Sequence, residues 1–198
     1  MKMSTIIFIR HCETEMAGKF CGHSDPELNI AGERQLAEVM KAIAPLDIRR
    51  ILSSDLRRAS RTATAIAEHL GVNVELQPAL REIYFGLWEG LNWKEIENRF
   101  PQEAVRWLRD FPWQTAPKGE VYTAFTARID AAIAPLVDEI TACATTGATT
   151  AVVTHRGVMR YALTKFFGFP EAKAWTKTAP YGAVVPAAVR SCNGEVLP

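Results

Sequence analysis

Two of the four histidines in this sequence stand just after apolar stretches that are typical of buried strands. Residues 6–9 (IIFI) are followed by Arg10 and His11, and residues 151–153 (AVV) are followed by a threonine and His155. A continuous apolar run indicates a strand buried on both faces, as in the middle of a parallel sheet. The carboxyl ends of such strands share one edge, where ligands collect in α/β proteins. If the two strands are neighbours, both imidazoles face one crevice, where a neutral imidazole nitrogen can act as a nucleophile.

A cluster of cationic residues follows the next predicted strand. The segment SSDLRRASR supplies Arg57, Arg58 and Arg61 near the predicted start of a helix. Guanidinium groups hold phosphate oxygens in bidentate pairs, and a helix N-terminus offers free N–H donors to an anion. Taken singly, each arginine is also typical of a solvated helix face. Their coincidence with Arg10 and the two strand-end histidines instead favours a phosphate pocket.

Length and composition predict one globular domain spanning residues 1–198. The chain is 48% hydrophobic and 23% charged, with a net charge of +1. Such a balance gives no general attraction to nucleic acid or to an anionic membrane, so an anion site has to be a local cluster. The four cysteines are scattered without a C-x-x-C pair, and no apolar run reaches the ~18 residues of a membrane span. We therefore predict a cytoplasmic protein with reduced thiols, no signal segment, and neither nucleic acid nor a membrane as partner.

The periodicity of the apolar residues predicts strands that alternate with helices. Predicted strands cover residues 6–9, 48–52, 72–76, 149–154 and 181–189, the last with Pro186 at an edge position. Predicted helices cover about residues 36–43, 56–70 and 120–142, with Ser53 and Ser54 as natural caps of the second. This alternation predicts an α/β fold, a three-layer α/β/α sandwich around a mostly parallel sheet. Residues of about 84–118, which are rich in tryptophan and phenylalanine, are predicted to form a small lid-like insertion in this domain.

Four motifs, in chain order, carry a resemblance to a known family: RHCET, SSDLRRASRTA, REIYFGLWEG and VVTHRG. Together they resemble the histidine phosphatase superfamily, the phosphoglycerate-mutase-like proteins, from Phe8 to about Val185. Within that superfamily, the segments GHSDPELN, YFGLWE and GEVYTAFTARID are most similar to the α-ribazole-5′-phosphate phosphatases of cobalamin synthesis. The resemblance implies a phosphatase for a small phosphorylated metabolite, with α-ribazole 5′-phosphate as the favoured substrate.

The resemblance also implies a role for each site residue. His11 is then the nucleophile that takes up the phosphoryl group, Arg10, Arg58 and His155 hold its oxygens, and Glu82 is the proton donor and later the base. Such chemistry splits hydrolysis into two displacements and needs fixed positive charge around the transferring oxygens, but neither a metal nor a cofactor. His155 would contribute best as an imidazolium, a form that nearby phosphate charge favours.

Three positions depart from the pattern of the family. Cys12, Ala17 and Arg156 stand where the family usually has glycine, asparagine and glycine. Cys12 adds a side chain where the backbone approaches the phosphate, and its thiol is an alternative nucleophile. Ala17 removes a hydrogen-bond donor, and Arg156 either caps the pocket with a further charge or points to solvent. These departures leave open whether the site is weakened or retuned.

Several other residues have chemical or packing interpretations that compete with this one. Glu89 is the weaker candidate for the acid. Zinc-competent side chains whose spacing matches none of the usual zinc motifs occur at His11, Cys12, Cys21 and His23. Four tryptophans are read as core or lid packing, although one or two could contact an aromatic substrate: Trp88, Trp93, Trp107 and Trp113.

The sequence as a whole predicts a metal-independent phosphomonoesterase that works through a phosphohistidine at His11. Two alternatives stay open. One is a sugar-phosphate or phosphoglycerate phosphatase or mutase, although by family analogy mutases carry longer insertions. The other is a binding or scaffold protein that keeps the phosphate pocket and has lost turnover.

Overall fold

A computed structural model describes residues 5–141 and 148–187 of the chain. One sheet runs through these residues, and its strands are β1 (Thr5–Arg10), β2 (Ile48–Ser53), β3 (Val74–Leu76), β4 (Thr149–Thr154) and β5 (Val184–Ala187). Their order across the sheet is β3-β2-β4-β1-β5. All neighbouring pairs are parallel except that β5 runs antiparallel to β1 at the edge. The prediction of a mostly parallel sheet is confirmed.

Strand β1 is buried on both faces, as its apolar run predicts. Ile6 and Phe8 pack into the apolar cluster on one face of the sheet, and Ile7 and Ile9 pack into the cluster on the other face. Burial from two sides removes the alternation that a half-exposed strand would show. The strand that ends at the first candidate histidine therefore lies in the centre of the core.

Helices cover both faces of this sheet. The α-helices of the described residues are α1 (Ile30–Ile43), α2 (Arg57–Leu70), α3 (Trp93–Arg99), α4 (Pro101–Asp110), α5 (Tyr122–Thr141), α6 (Arg156–Phe167) and α7 (Glu171–Lys177). Apolar side chains of α1 and α2 fill the cluster on one face, and those of α5, α6 and α7 fill the cluster on the other. The predicted three-layer α/β/α architecture is confirmed. Among the described helices, none combines the length and the apolar composition needed to cross a membrane.

The start of α2 differs from the prediction. The helix begins at Arg57, and Leu56 occupies the cap position without a side-chain hydrogen bond. The Arg57 N–H instead donates to Asp25 Oδ1 at 2.6 Å, while the Leu56 N–H donates to the Ser54 hydroxyl at 3.3 Å. The prediction that Ser53 or Ser54 caps the helix is wrong, because a carboxylate distant in sequence takes that function.

Other elements differ from the prediction only in length, and α1 begins at residue 30 instead of about 36. β3 begins at residue 74 instead of 72, and α5 begins at residue 122 instead of 120. β5 begins at residue 184 instead of 181 and contains Pro186, which lies at the edge as predicted. Residues 142, 188 and 189, to which two of these predictions extend, lie outside the described residues, as do Cys143 and Cys192.

Residues 84–118 contribute a small apolar cluster of their own. Trp88 is fully buried there, together with Ile96 of α3 and Ala104 of α4. Phe20, from the loop after β1, packs edge-to-face on Trp88 with ring centroids 5.7 Å apart. This contact ties the loop that follows the first strand to the segment around α3 and α4.

Candidate active site

The two strand-end histidines lie side by side at the carboxyl edge of the sheet. β1 and β4 are paired in parallel, and the His11 N–H continues their ladder by donating to the Thr154 carbonyl at 2.9 Å. The ring centroids of His11 and His155 are 5.1 Å apart. Both residues are buried, with 7% and 1% of their surface exposed. The structure therefore brings together the two residues that the sequence singled out first.

One hydrogen bond selects the tautomer of His11. Its Nδ1 lies 2.7 Å from the Cys12 carbonyl oxygen. A carbonyl oxygen can only accept, so in the neutral ring Nδ1 carries the proton and Nε2 keeps its lone pair. Nε2 of His11 is therefore the ring nitrogen that keeps a lone pair.

His155 is held by a serine that the sequence analysis read differently. His155 Nε2 lies 2.9 Å from the hydroxyl of Ser54, which is fully buried just beyond the end of β2. Nδ1 of His155 is buried and has no hydrogen-bond partner within the described residues. Ser54 follows β2, which lies next to β4 in the sheet. Its position at the end of that strand is the signal that could have identified it as a contact of His155.

Burial and nearby arginines favour the neutral form of both imidazoles. Burial lowers the pKa of His11 well below its usual value, and the charges of Arg58 and Arg10 lower it further. Burial also lowers the pKa of His155 well below its usual value, with further lowering by Arg58 and His11. The imidazolium form expected for His155 therefore requires a negative charge nearby. An anion bound beside the rings would raise both pKa values.

Arg58 is fully buried and holds the loop that follows β1. Its Nη1 donates to the Ser24 carbonyl at 2.7 Å, and its Nη2 donates to the carbonyls of Cys21 and Gly22 at 3.2 and 2.7 Å. A guanidinium has five N–H donors, and these three bonds use three of them, so two remain available. One is the buried Nε–H, which has no partner among the described residues. Arg58 therefore keeps donors for an anion while it positions the loop.

Glu89 holds the same loop from the other side. Its carboxylate accepts from the N–H groups of Gly22, His23, Ser24 and Phe85 at 2.9–3.1 Å. Burial raises the pKa of Glu89, but the hydrogen bonds from Ser24, Phe85 and His23 outweigh it and leave the pKa below its usual value. These hydrogen bonds stabilise the folded protein at pH values above ~4.3, the pKa of glutamate in the unfolded chain. The stabilisation is lost as the pH falls through the lower pKa of Glu89 in the folded protein. Glu89 is a loop anchor, so its candidacy as the acid is not supported.

Arg10 approaches the crevice together with Tyr181. The guanidinium lies over the Tyr181 ring, 3.9 Å from its centroid, and that ring lies 5.6 Å from the His11 ring. Nη1 of Arg10 donates to the Ala179 carbonyl, while its buried Nε has no partner within the described residues. The sequence analysis placed Tyr181 only in a predicted strand, and nothing in its local pattern marks it as a neighbour of the site.

Glu82 is buried beside the start of α6. Its Oε1 accepts from the Ile83 N–H and its Oε2 accepts from the Gly157 N–H, both at 2.9 Å. A Cβ atom at residue 157 would collide with Oε1 of Glu82. Glycine at position 157 is therefore what allows this carboxylate to lie against the strand-end crevice.

The three departures from the family pattern have different surroundings. Cys12 is fully buried in the apolar cluster of α1 and α2, and burial raises its pKa to about 11. A buried thiol with a raised pKa is a poor nucleophile, so the thiol alternative is not supported. Ala17 lies on an exposed turn. Arg156 does not point freely to solvent, because its guanidinium lies 4.4 Å from the ring centroid of Trp175.

A cavity of about 630 Å³ opens next to Glu82 and Arg156. Half of its lining residues are aromatic, namely Phe20, Phe85, Trp107, Phe111, Trp113, Tyr122, Phe125, Tyr161 and Trp175. Of the four tryptophans discussed for the sequence, Trp107 and Trp113 line this space and Trp88 is core. Pockets of this size and lining typically enclose a small organic molecule.

The zinc alternative finds no support in the geometry. Among the described residues, no three side chains of the histidine, cysteine, aspartate and glutamate types lie close enough to share a metal ion. Cys12 packs in the core. The ring of His23 stacks near Tyr84 with centroids 5.2 Å apart, and its Nε2 lies 3.1 Å from the Glu82 carbonyl oxygen.

The lowered histidine pKa values predict a specific pH dependence of stability. Between the folded pKa and the unfolded value of ~6.5, the unfolded chain binds more protons, so the free energy of unfolding falls as the pH drops. When the pH drops from 7.5 to 5.5, the free energy of unfolding of His11→Asn should therefore fall by about 1 kcal/mol less than that of the wild type. Urea unfolding at each pH measures this, with the exposed His69→Asn as control. Identical slopes for wild type and His11→Asn would contradict the assignment.

The role of Glu89 as a loop anchor can be tested by Glu89→Gln. The amide of glutamine accepts hydrogen bonds only at its oxygen, so its –NH₂ group would face backbone N–H donors. We expect the free energy of unfolding to fall by ~2–4 kcal/mol and amide exchange at residues 22–24 to accelerate. The exposed Glu97→Gln should change stability by less than ~0.5 kcal/mol. Unchanged exchange in the loop would show that Glu89 does not hold it.

Comparisons with known proteins agree with this geometry. The sequence profile described as "Histidine phosphatase superfamily (branch 1)" matches residues 6–196. The adenosylcobalamin/alpha-ribazole phosphatase of Salmonella typhimurium is 30% identical over 171 residues, which cover 84% of this chain and 81% of that protein. The glucosyl-3-phosphoglycerate phosphatase of Mycobacterium tuberculosis is 32% identical over 146 residues, which cover 72% of this chain and 62% of that protein.

Solved structures show the same fold. The crystal structure of a putative alpha-ribazole-5′-P phosphatase from Escherichia coli superposes with a TM-score of 0.80 at 22% identity, and the match covers 98% of this chain and 96% of that one. The native structure of mycobacterial glucosyl-3-phosphoglycerate phosphatase superposes with a TM-score of 0.77 at 25% identity, covering 92% and 88% of the two chains. Profile, relatives and fold agree, and the chain belongs to the histidine phosphatase superfamily.

Proposed function

We propose that this chain is a phosphomonoesterase that passes the phosphoryl group of a small metabolite through His11 to water. The observation that carries the proposal is the tautomer of His11, a buried neutral ring whose Nδ1–H is bound to the Cys12 carbonyl. Nε2 attacks phosphorus, and the ester P–O bond breaks. The bond from Nδ1–H then stabilises the positive charge that develops on the ring. Water breaks the N–P bond in the second step and releases inorganic phosphate, so side chains alone carry both steps without a metal.

Arg10, Arg58 and His155 are the proposed ligands of the transferring oxygens. Buried donors require acceptors, and the Nε–H groups of both arginines have none within the described residues. The Nδ1 atom of His155 is likewise buried without a partner there. A phosphoryl group supplies three acceptor oxygens and negative charge, which would satisfy these groups and draw a proton onto His155.

Glu82 is the proposed acid and, in the second step, the proposed base. It lies at the boundary between the histidine crevice and the aromatic cavity, where the leaving group has to depart. The leaving oxygen takes a proton from Glu82 as the ester bond breaks, and the attacking water returns one. In each step the proton moves between Glu82 and an oxygen bound to phosphorus.

The favoured substrate is α-ribazole 5′-phosphate, an intermediate of cobalamin synthesis. A planar aromatic base fits the aromatic lining of the cavity, where rings pack edge-to-face or offset on each other. Residues 84–118 supply Phe85, Trp107 and Trp113 to this lining, so we assign that segment the role of a lid over the substrate. The relative from Salmonella typhimurium, named for adenosylcobalamin and alpha-ribazole, supports the same choice.

A sugar-phosphate or phosphoglycerate substrate is the second candidate. It is supported by the similarity to glucosyl-3-phosphoglycerate phosphatase and by the arginines that line the cavity. A mutase and a scaffold without turnover are the remaining alternatives. Hydrolysis of p-nitrophenyl phosphate in the presence of EDTA would exclude the scaffold, and a panel of phosphorylated metabolites would separate the substrate candidates.

The phosphohistidine intermediate makes a direct prediction. A radiolabelled phosphomonoester, quenched rapidly, should label the wild type in an acid-labile, alkali-stable form, and His11→Ala should give no label. Cys12→Ala should retain the label, because the thiol is buried and its pKa is raised to about 11. Label that survives in His11→Ala would refute His11 as the nucleophile.

The role of Glu82 as an acid predicts a dependence on the leaving group. An alkoxide needs a proton as it departs, whereas nitrophenolate leaves without one. Glu82→Gln should therefore slow the first labelling step by ~10²–10⁴-fold for an alkyl phosphate and far less for p-nitrophenyl phosphate. Any structural cost of the amide affects both substrates alike, so it cancels in the ratio.

The matched control for this comparison is Glu171→Gln, an exposed carboxylate on the cavity wall. It should change the rates for the two substrates by the same factor. Equal slowing of both substrates by Glu82→Gln would contradict the acid role.

A further inference from the structure

The aromatic cavity lies on the side of the site from which a leaving group departs. Glu82 and Arg156 both line it, and Arg156 directly follows His155 in the chain. Under the proposed function, on which this inference rests, Glu82 delivers its proton to the leaving oxygen. The part of the substrate that occupies the cavity is therefore the alcohol portion and not the phosphoryl group.

Two arginines of α6 stack on one tryptophan in this cavity. The guanidinium carbons of Arg156 and Arg160 lie 4.4 and 4.0 Å from the ring centroid of Trp175 on α7. Arg160 also lies 5.4 Å from the ring centroid of Phe111. Stacking on rings holds a guanidinium plane in position while its edge donors stay available. The two cations are thus held in place on the cavity wall.

Two polar atoms of these arginines lack the partners that burial demands. The Nε–H groups of Arg156 and Arg160 are buried and donate to no protein acceptor in the part of the chain that the structure describes. Burial lowers the pKa of both arginines, which reflects the cost of keeping these charges away from water. Buried donors are normally satisfied by protein, water or ligand.

The nearby carboxylates do not neutralise both cations. Lys165, on the same wall, is paired with Asp130 at 2.6 Å. Arg160 is 3.3 Å from Glu171, whose side chain is 74% exposed. For Arg156, no carboxylate lies within 4 Å among the described residues. An excess of fixed positive charge therefore remains at Arg156.

Glu82 is the carboxylate with the largest attractive influence on Arg156. Both of its oxygens are engaged by backbone N–H groups. As the proposed acid it must be protonated before the ester bond breaks, which removes its negative charge. The positive charge of Arg156 is therefore least compensated at the stage when substrate is bound.

We infer that Arg156 and Arg160, stacked on Trp175, bind a second acidic group, a carboxylate or a phosphate, carried by the alcohol portion of the substrate. The site is a specificity determinant for the leaving group and takes no part in the chemical steps. α-Ribazole has neither a carboxylate nor a second phosphate, so this inference supports the second substrate candidate, a sugar-phosphate or phosphoglycerate ester, over α-ribazole 5′-phosphate.

The experiment compares matched substrates that differ only in the second acidic group. The substrates are phenyl phosphate, 3- and 4-carboxyphenyl phosphate and 1,4-phenylene bisphosphate. The wild type should prefer at least one diacidic ester over phenyl phosphate in kcat/KM, and the two acid types show whether carboxylate or phosphate is taken. Arg156→Gly and Arg160→Gln should each reduce this preference about tenfold or more.

Two controls separate this inference from simpler explanations. Lys177→Gln removes one exposed charge from α7 and should leave the preference unchanged. Inhibition by inorganic phosphate reports on the phosphoryl pocket. Arg156→Gly should therefore weaken this inhibition far less than it reduces the preference for diacidic esters. Calorimetric binding of phenylphosphonate and 4-carboxyphenylphosphonate repeats the comparison without turnover.

Two results would overturn the inference. One is a wild type without any preference for diacidic esters or phosphonates. The other is an Arg156→Gly variant in which phenyl phosphate, the carboxyphenyl esters and inorganic phosphate are all weakened equally, since Arg156 would then hold the reacting phosphoryl group. Either result leaves the proposed phosphatase function intact. Failure of that function would show instead as missing label at His11 and missing hydrolysis of phenyl phosphate.

Discussion

The parallel pairing of β1 with β4 is the constraint on which the whole site depends. Its register sets Arg10 opposite Thr154, so the residues that follow the two strands emerge side by side and the imidazole rings come to lie 5.1 Å apart. A slip of one residue would turn the side chains of Ile6 and Phe8 toward the wrong apolar cluster. Core packing on both faces of β1 therefore maintains the distance between the two histidine side chains.

A second constraint acts through the loop at residues 21–24. Its carbonyl groups receive the guanidinium of Arg58, and its N–H groups donate to the carboxylate of Glu89. One peptide segment thus separates a buried cation from a partly buried anion and satisfies both. A Cβ atom at Gly22 would collide with the Ile83 carbonyl, so the loop can approach this closely only with glycine there. The arrangement orders the arginine in advance, which would remove a reorganisation cost from the proposed phosphate binding.

The electrostatics of the crevice are those of a site prepared for an anion. Two neutral imidazoles lie among arginines whose buried Nε–H groups have no acceptor within the described residues. Burying unpaired donors and charges costs stability, and under the proposed function a bound oxyanion would relieve that cost. The same reasoning extends along α6, where Arg156 carries the unbalanced positive charge into the aromatic cavity. Under the further inference, this unpaired charge would contribute affinity for an acidic ligand.

Much of the fold was determined by local sequence pattern. The apolar run before His11, the helical spacing of α1 and α2 and the alternation of strands and helices are short-range signals, and they predicted the three layers correctly. His11, His155, Arg10 and Arg58 were singled out by their places at strand ends and near a helix start, and Glu82 was singled out by the resemblance to the family. Proximity of the two histidines followed from one further assumption, that their strands are neighbours.

Tertiary structure alone decided what each polar group does. Ser54 looked like a helix cap but contacts His155, and Glu89, the weaker candidate for the acid, anchors a loop, since their partners lie far away in sequence. The direction of Cys12 into the core depends on the packing of α1 and α2, which no local pattern encodes. The stacking of Arg156 on Trp175 depends on how α6 and α7 pack together. Sequence determines which groups are present, and long-range packing determines which of them are left with unsatisfied charge and hydrogen bonds for a ligand.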